Sequence, residues 1–389
     1  MEIGKKMFLI IFLLSQLFIR CSSDDNCVKV AEREMTEEEV LEINQLSNFL
    51  SEDLGITLKK IIYSPSKSAF VIDGDILMPL EDARQRLKKT DLKITDKANQ
   101  RVSKKLIAPQ FASSIQVYIY PEVPLEWRNA INESIKNWNN ANTNLNLTVV
   151  KDQPLYGIKI TMFDGGNIPA IAYGSLPSGL PGDSITINTY YNNLEESKKI
   201  NALTHEFGHC FGLLHTNDTD AALIPCTPVS EMNSVMFSLN QTWNGFTYYD
   251  NVAISTLYPV GLGTKKMYTF RKNKSFLYSS DPCEINPEKN DCILQEEACY
   301  LYSTQVEGTV PLYRSYDADS QGHQLSRVQT STDDVIQGYL YPTQQPGTTP
   351  LYRVTHYEFR PQGNIYHYLY TTEDWGAPFQ IITGYVIKR

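Results

Sequence analysis

Thr204-His-Glu-Phe-Gly-His-Cys-Phe-Gly-Leu-Leu-His-Thr-Asn-Asp218 holds three of the chain's six histidines in the arrangement H-E-x-x-H-x-x-G-x-x-H. On a helix, His205 and His209 lie four residues apart and project the same way from adjacent turns, so two imidazole nitrogens can meet one metal at about 2.0–2.1 Å. Glu206, one position on, projects beside that metal rather than onto it. There a carboxylate can take a proton from water and return it to a departing amine. His215 comes six residues after His209, a spacing no continuous helix brings back to the same point. Gly212 resolves this, because glycine adopts positive φ at little cost, ends the helix and folds the chain back toward the metal. Three neutral imidazoles and one open tetrahedral corner make a single Zn2+ the expected cofactor. Cys210 points about 100° around the helix from His209, which leaves it as a buried small residue or as half of a disulfide with Cys226.

The flanking sequence supplies a scaffold for such a helix. Ile115–Tyr120 reads as a strand, and Pro124 opens a helix whose Trp127, Ile131, Ile135 and Trp138 form one apolar face. Leu145–Val150, Gly157–Phe163 and Ser184–Asn188 read as further strands between Gly/Pro-rich turns, and Ser197–Phe211 as the second long helix.

Downstream, Asn233-Ser-Val-Met236 resembles the methionine turn that lies beneath the zinc in metzincin peptidases. Together with H-E-F-G-H-C-x-G-x-x-H-T-N, Ile224-Pro-Cys-Thr-Pro-Val229 and Asp250-Asn-Val-Ala-Ile-Ser-Thr-Leu-Tyr258, it makes roughly residues 100–260 similar to the dual-action HEIGH metallopeptidases, a bacterial branch of the metzincins. The resemblance implies a zinc endopeptidase acting on protein or peptide, with His205, His209 and His215 as ligands, Glu206 as general base and Met236 as a structural base under the site. Two positions depart from the pattern. Cys226 stands where a glycine is expected, and Phe237-Ser238 follows Met236, so the tyrosine of astacin-like enzymes is missing; Tyr248 or Tyr249 is a substitute oxyanion donor. Ala170–Pro177 occupies the place where metzincins keep the edge strand that pairs with substrate, although a surface strand and loop reads equally well. Phe70-Val-Ile-Asp-Gly-Asp-Ile76 is similar to the F-x-G-D-I stretch of astacin-type propeptides, in which an aspartate fills the open zinc position; Asp75 is the matching residue. The plain alternative is an Asp-Gly hairpin turn. Cys27 as a cysteine-type latch is a further alternative.

The fold class expected is α+β: a metzincin-like domain (twisted mixed sheet plus active-site helix) at 106–262, after a tether and pro-segment at 21–105, with a Tyr-rich β-repeat domain at 263–389. The repeat is explicit. Leu301–Arg314 and Leu340–Arg353 agree at ten of fourteen positions with an offset of 39, and Phe276–Ser280 and Tyr368–Thr372 correspond as another strand. Its tyrosines either fill a small core or stack on carbohydrate. Lys5 and Lys6 followed by the apolar run Met7–Ile19 read as a signal peptide over residues 1–20. The chain is therefore expected to be exported, anchored to the outer surface by lipidation of Cys21 or released. Seven cysteines suit an oxidising compartment, with pairing open between Cys210–Cys226 and pairs among Cys283, Cys292 and Cys299. Lys104-Lys105 offers a protease site between pro-segment and enzyme. A net charge of −9 with no basic face argues against nucleic acid as a partner, and membrane contact is expected only through the anchor. The competing reading is a surface adhesin or glycan-binding lipoprotein in which zinc is structural; Glu206 argues against it, because a structural zinc has no use for a base.

Overall fold

The computed structural model describes residues 35–89, 102–103, 105–218, 223–285, 292–319, 321–361 and 363–388. The signal peptide, tether, Cys21, Cys27 and Lys104 lie outside them. The chain divides into a unit through Leu41, whose described part opens helix α1 (Glu37–Leu54), and the unit Glu42–Arg389. Thr36 caps α1 in a capping box: its Oγ1 accepts from the Glu39 amide, and Glu39 Oε2 accepts from the Thr36 amide. Leu46, Leu50 and Leu54, four apart, bury one face of the helix.

Strands β1 (Ile61–Ser64), β2 (Ala69–Ile72) and β3 (Ile76–Pro79) form an antiparallel meander, followed by helix α2 (Leu80–Lys89). A short helix α3 (Pro109–Ala112) leads into β4 (Ile115–Ile119), α4 (Leu125–Asn140), β5 (Leu147–Val150), β6 (Ile158–Phe163), β7 (Ala172–Gly174), β8 (Ser184–Asn188), α5 (Glu196–Cys210) and α6 (Tyr248–Leu257). The eight strands make one mixed sheet in the order β1-β2-β3-β7-β8-β6-β4-β5. β5, β4, β6 and β8 are mutually parallel, β7 runs antiparallel to β8, and β3 joins β7 in parallel at Ile76↔Gly174. β7 is thus an inner strand here, not a free edge.

Alternation puts Val117, Ile119, Ile158, Ile160, Ile185 and Ile187 on the sheet face that α4 and α5 cover. Trp127, Ile131 and Trp138 of α4 pack there against Phe207 and Phe211 of α5. The Trp138 indole also donates to the Thr204 carbonyl at 3.1 Å, tying α4 to α5. A second core under the meander joins Leu46, Leu50, Phe70, Ile72 and Met78 to Leu176, after β7, and Leu214, after α5.

The remaining strands, β9 (Thr264–Lys272), β10 (Ser275–Ser279), β11 (Ile293–Tyr302), β12 (Val310–Asp317), β13 (Gly322–Ser326), β14 (Val335–Leu340), β15 (Thr348–Glu358), β16 (Ile365–Thr371) and β17 (Gln380–Ile387), form a nine-stranded sheet. They fall into three three-stranded antiparallel units of one design, in which the first strand lies in the middle and pairs with both the second and the third. The 39-residue offset appears as matching register shifts after Leu312 in β12 and after Leu351 in β15. Leu312 faces Gly338 and Leu351 faces Gly384. A Cβ on Gly338 would come within 2.9 Å of the Tyr302 carbonyl, so the close strand approach needs glycine. Tyr278, Tyr300 and Tyr370 are buried in this part, whereas Tyr316, Tyr357 and Tyr366 face outward.

Cys226 bonds to Cys283, with Cα atoms 4.7 Å apart, which corrects the Cys210–Cys226 alternative. Cys210 is instead a buried free thiol whose Sγ lies 3.7 Å from the Ser184 carbonyl. Its place on α5 turns it toward β8, away from the loop that carries Cys226. Cys226 also has φ of +69°, which is why a glycine suits that position.

Candidate active site

Helix α5 is buried on nearly every side, and its last two turns present His205 and His209 in one direction. Gly212 then takes φ of +92°, with its amide donating to the His209 carbonyl and the Leu213 amide donating to Gly208, both at 2.9 Å. That reversal delivers His215. The His205 and His215 Nε2 atoms stand 3.2 Å apart, and the ring centroids of the three histidines are 4.6–5.1 Å apart.

Asp75 enters from the turn between β2 and β3. Its Oδ2 lies 3.1 Å from His215 Nε2 and 3.4 Å from His205 Nε2, and its Oδ1 lies 3.4 Å from His209 Nε2. The Asp-Gly stretch is a hairpin turn, and it carries a carboxylate into the histidine cluster.

The donor set fits a zinc ion. His205 Nδ1 is 2.7 Å from the Val235 carbonyl and His209 Nδ1 is 2.8 Å from the Leu213 carbonyl. A carbonyl only accepts, so both Nδ1 atoms carry hydrogens and both Nε2 atoms present lone pairs. His209 Nε2 is buried with no hydrogen-bond partner, a state that a cation at the convergence point would relieve. Tetrahedral ligands about 2.0–2.1 Å from one ion stand about 3.3 Å from one another, close to the separations above. Asp75, His205, His209 and His215 together could hold one metal ion.

The electrostatics follow from burial and these contacts. Burial pushes the Asp75 carboxyl up, but the imidazoles, His215 foremost, hold it well below the usual carboxylate range. Burial pushes His215 down, yet Asp75 and then Asp73 lift it to about 10, whereas burial leads in lowering His209 to about 4. The Glu206 carboxyl is raised well above its ordinary value, by burial first and by the Asp75 charge second. Glu206 Oε2 is buried without a hydrogen-bond partner. With Asp75 and His205 it lines a cleft completed by Ile171 and Ala172 at β7, Asn201 and Ala202 of α5, and Phe237 and Asn240.

Met236 lies under the helix. The Ser234 hydroxyl donates to Asp250 Oδ1 at 2.5 Å, the Val235 amide to Asp250 Oδ2 at 3.1 Å, and the Thr216 amide to the Met236 carbonyl at 2.9 Å. Asp250 belongs to the capping box that starts α6, so one side chain caps a helix and pins the methionine turn. The oxyanion role considered for Tyr248 is corrected: its hydroxyl donates to the Pro282 carbonyl at 3.0 Å, and its ring packs on Tyr268 and Phe270. Tyr249 lines a separate hollow beside Leu213, Pro228 and Met236. Sequence reasoning missed Asp73, Lys60, Asp218 and Asp250; for Asp73, the signal was its place two residues before Asp75.

A mixed α+β fold with three convergent imidazoles and an adjacent buried glutamate defines the class as a zinc metallopeptidase. Within that class, residues 70–227 match the model of the dual-action HEIGH metallopeptidase family, and the chain is a zinc metalloendopeptidase. The match begins at the hairpin that carries Asp75 and stops short of the methionine turn, whereas the motif resemblance placed it at roughly 100–260. Among solved structures the chain is similar to myroilysin, at 16% identity over 40% of this chain and 85% of that one, with a TM-score of 0.30. It is also similar to high choriolytic enzyme, a hatching-enzyme zinc protease of the medaka Oryzias latipes, at 13% identity over 43% and 97% of the two chains, with a TM-score of 0.30. A comparison with curated proteins gives no match. No helix among the described residues is long and apolar enough to cross a membrane.

Proposed function

We propose that this zinc metallopeptidase is exported, is held latent by its N-terminal hairpin, and cleaves peptide bonds with Glu206 as general base. The observation that carries the mechanism is the spacing of three histidine nitrogens and a carboxylate around one point, with Glu206 beside it, its Oε2 buried and without a hydrogen-bond partner. When bound, zinc supplies Lewis acidity to the scissile carbonyl. His205, His209 and His215 would hold it, two of them oriented by the carbonyls of Val235 and Leu213. The Glu206 carboxylate takes a proton from the attacking water and passes it to the departing nitrogen. β7 seats the substrate backbone by strand addition once its edge is open.

Latency rests on two contacts made by one turn. Asp75 stands where water must reach the site, and β3 lies along β7, with the Gly174 amide donating to the Asp75 carbonyl at 3.1 Å. Removal of the segment up to Lys104-Lys105 would open both. A signal peptide over residues 1–20, with Cys21 as anchor or release point, belongs to the same reading.

The test is cleavage of an unfolded protein by residues 22–389, before and after trimming, with and without a chelator. Wild type should gain activity on trimming and lose it to the chelator. Glu206→Ala should retain zinc and lose at least about 100-fold in rate. Asp75→Ala should cleave without trimming. Activity in Glu206→Ala equal to wild type would refute the general-base role, and an untrimmed Asp75→Ala as silent as wild type would refute the latency role.

A further inference from the structure

The three histidines differ in what holds their second nitrogen. His205 and His209 are oriented by backbone carbonyls of the catalytic part, at Val235 and Leu213. His215 Nδ1 instead lies 2.9 Å from Oδ2 of Asp73, a side chain from the turn between β2 and β3. The other Asp73 oxygen is 3.1 Å from Lys60 Nζ, which also lies 3.1 Å from Asp218 Oδ1, and the Asp218 side chain is fully buried. The backbone fixes this arrangement. The Asp73 amide donates to the Lys60 carbonyl at 2.8 Å, and Asp73 and Gly74 take φ of +52° and +103°, so the turn presents both aspartates toward the histidines.

We propose that Asp73 is a positioning residue for His215, so that the segment blocking the site also completes the set of groups that orient its metal ligands. The inference rests on reading the three histidines as zinc ligands. A carboxylate on Nδ1–H fixes the tautomer that leaves Nε2 free to ligate, and it makes the imidazole more basic than a carbonyl would. Lys60 and Asp218 hold the Asp73 carboxylate in register on its far side. The latent chain therefore retains its ion through two aspartates, Asp75 toward the metal and Asp73 through His215. When the hairpin departs, His215 alone of the three loses its orienting group.

The test measures zinc release from loaded residues 22–389 into excess chromogenic chelator, with zinc content checked first by atomic absorption. Asp73→Gly removes the carboxylate and suits the positive φ; Asp73→Asn keeps an acceptor without the charge. Zinc affinity should fall about 10–100-fold in Asp73→Gly, read as faster release, with Asp73→Asn in between. The effect should persist when Asp73→Gly is added to Asp75→Ala. Release from Asp73→Gly at the wild-type rate would overturn the proposal. So would an effect that vanishes on the Asp75→Ala background, because Asp73 would then only seat Asp75. A wild-type chain that takes up no zinc would instead sink the ligand reading beneath it.

Discussion

Gly208 lies inside helix α5 between the two helical histidines, where an alanine would ordinarily stabilise the helix by about 1 kcal/mol. The structure reverses that expectation. A Cβ on Gly208 would fall inside contact distance of Met236 Sδ and 3.1 Å from its Cε. Met236 is 2% exposed and its backbone is tied on both sides, by Ser234 Oγ at the amide and by Thr216 at the carbonyl, so the sulfur can retreat only by a change of rotamer within the packed core. Overpacking of this kind costs about 1–3 kcal/mol, which leaves Gly208→Ala destabilised by about 1 kcal/mol after the helix gain. Met236→Ala alone should cost about 2–5 kcal/mol, but it empties the space above Gly208. On that background Gly208→Ala should stabilise by about 1 kcal/mol, giving a coupling of about 2 kcal/mol between the two sites. Urea unfolding of the four proteins at matched zinc occupancy, followed by tryptophan fluorescence, measures the cycle; Trp127 and Trp138 are fully buried beside α5. Equal effects of Gly208→Ala with and without Met236, or stabilisation in both, would refute the claim that the methionine turn is keyed to the helix through that glycine.

The Cys226–Cys283 bond spans 57 residues, and loop-closure entropy assigns it about 4 kcal/mol. Because Cys226 sits at φ of +69°, Cys226→Gly/Cys283→Ala should be about 1 kcal/mol more stable than Cys226→Ala/Cys283→Ala in urea unfolding. A glycine variant no better than the alanine variant would count against the backbone argument. For Glu284, burial pushes the carboxyl up, but hydrogen bonds from Arg314 and Ser279 and the guanidinium charge hold it below its ordinary value. A depressed carboxyl stabilises the fold above its unfolded pKa and loses that contribution as the pH falls through the folded value. Wild type should therefore lose more thermal stability than Glu284→Gln between about pH 5 and 3. With the carboxyl partly exposed, the difference should be no more than about 3 °C. Identical acid profiles would show that the pair contributes nothing.

What the sequence disclosed was local. His205, Glu206, His209, Gly212 and His215 lie within eleven residues, so helical geometry and one positive-φ glycine suffice to place them. The strands read at Ile115–Tyr120, Leu145–Val150, Gly157–Phe163 and Ser184–Asn188 and the helix at Ser197–Phe211 fall within about two residues of those observed, because each apolar period is bounded by its own turn residues, whereas helix α6 was not read as one. The misses are contacts between distant segments. Asp73 meets His215 across 142 residues, Cys226 pairs across 57, and Tyr248 turns toward β9 rather than the cleft. Cys226 was conspicuous as a residue in place of a glycine, yet its partner lies in a loop beyond β10, where spacing carries no information. Asp250 was visible as part of a motif, but its bonds to Ser234 and Val235 need the turn and the helix side by side.

The latency reading also accounts for where the second core sits. Leu176 follows Gly174 by two residues and Leu214 immediately precedes His215, so both flank the cluster, and both are buried under side chains of the N-terminal meander. The Arg86 guanidinium reaches from α2 to the Pro177 carbonyl, and Lys67 lies 4.4 Å over the Phe163 ring and 5.2 Å from that of Tyr173. The meander thus packs beside β7, where the proposed substrate strand would lie. Apolar surface that must be covered in the latent chain and exposed in the active one disfavours an empty cleft. On the proposed latency reading the same residues would serve inhibition and substrate seating in turn, while the Asp73–His215 and Lys60–Asp218 contacts would belong to the N-terminal segment.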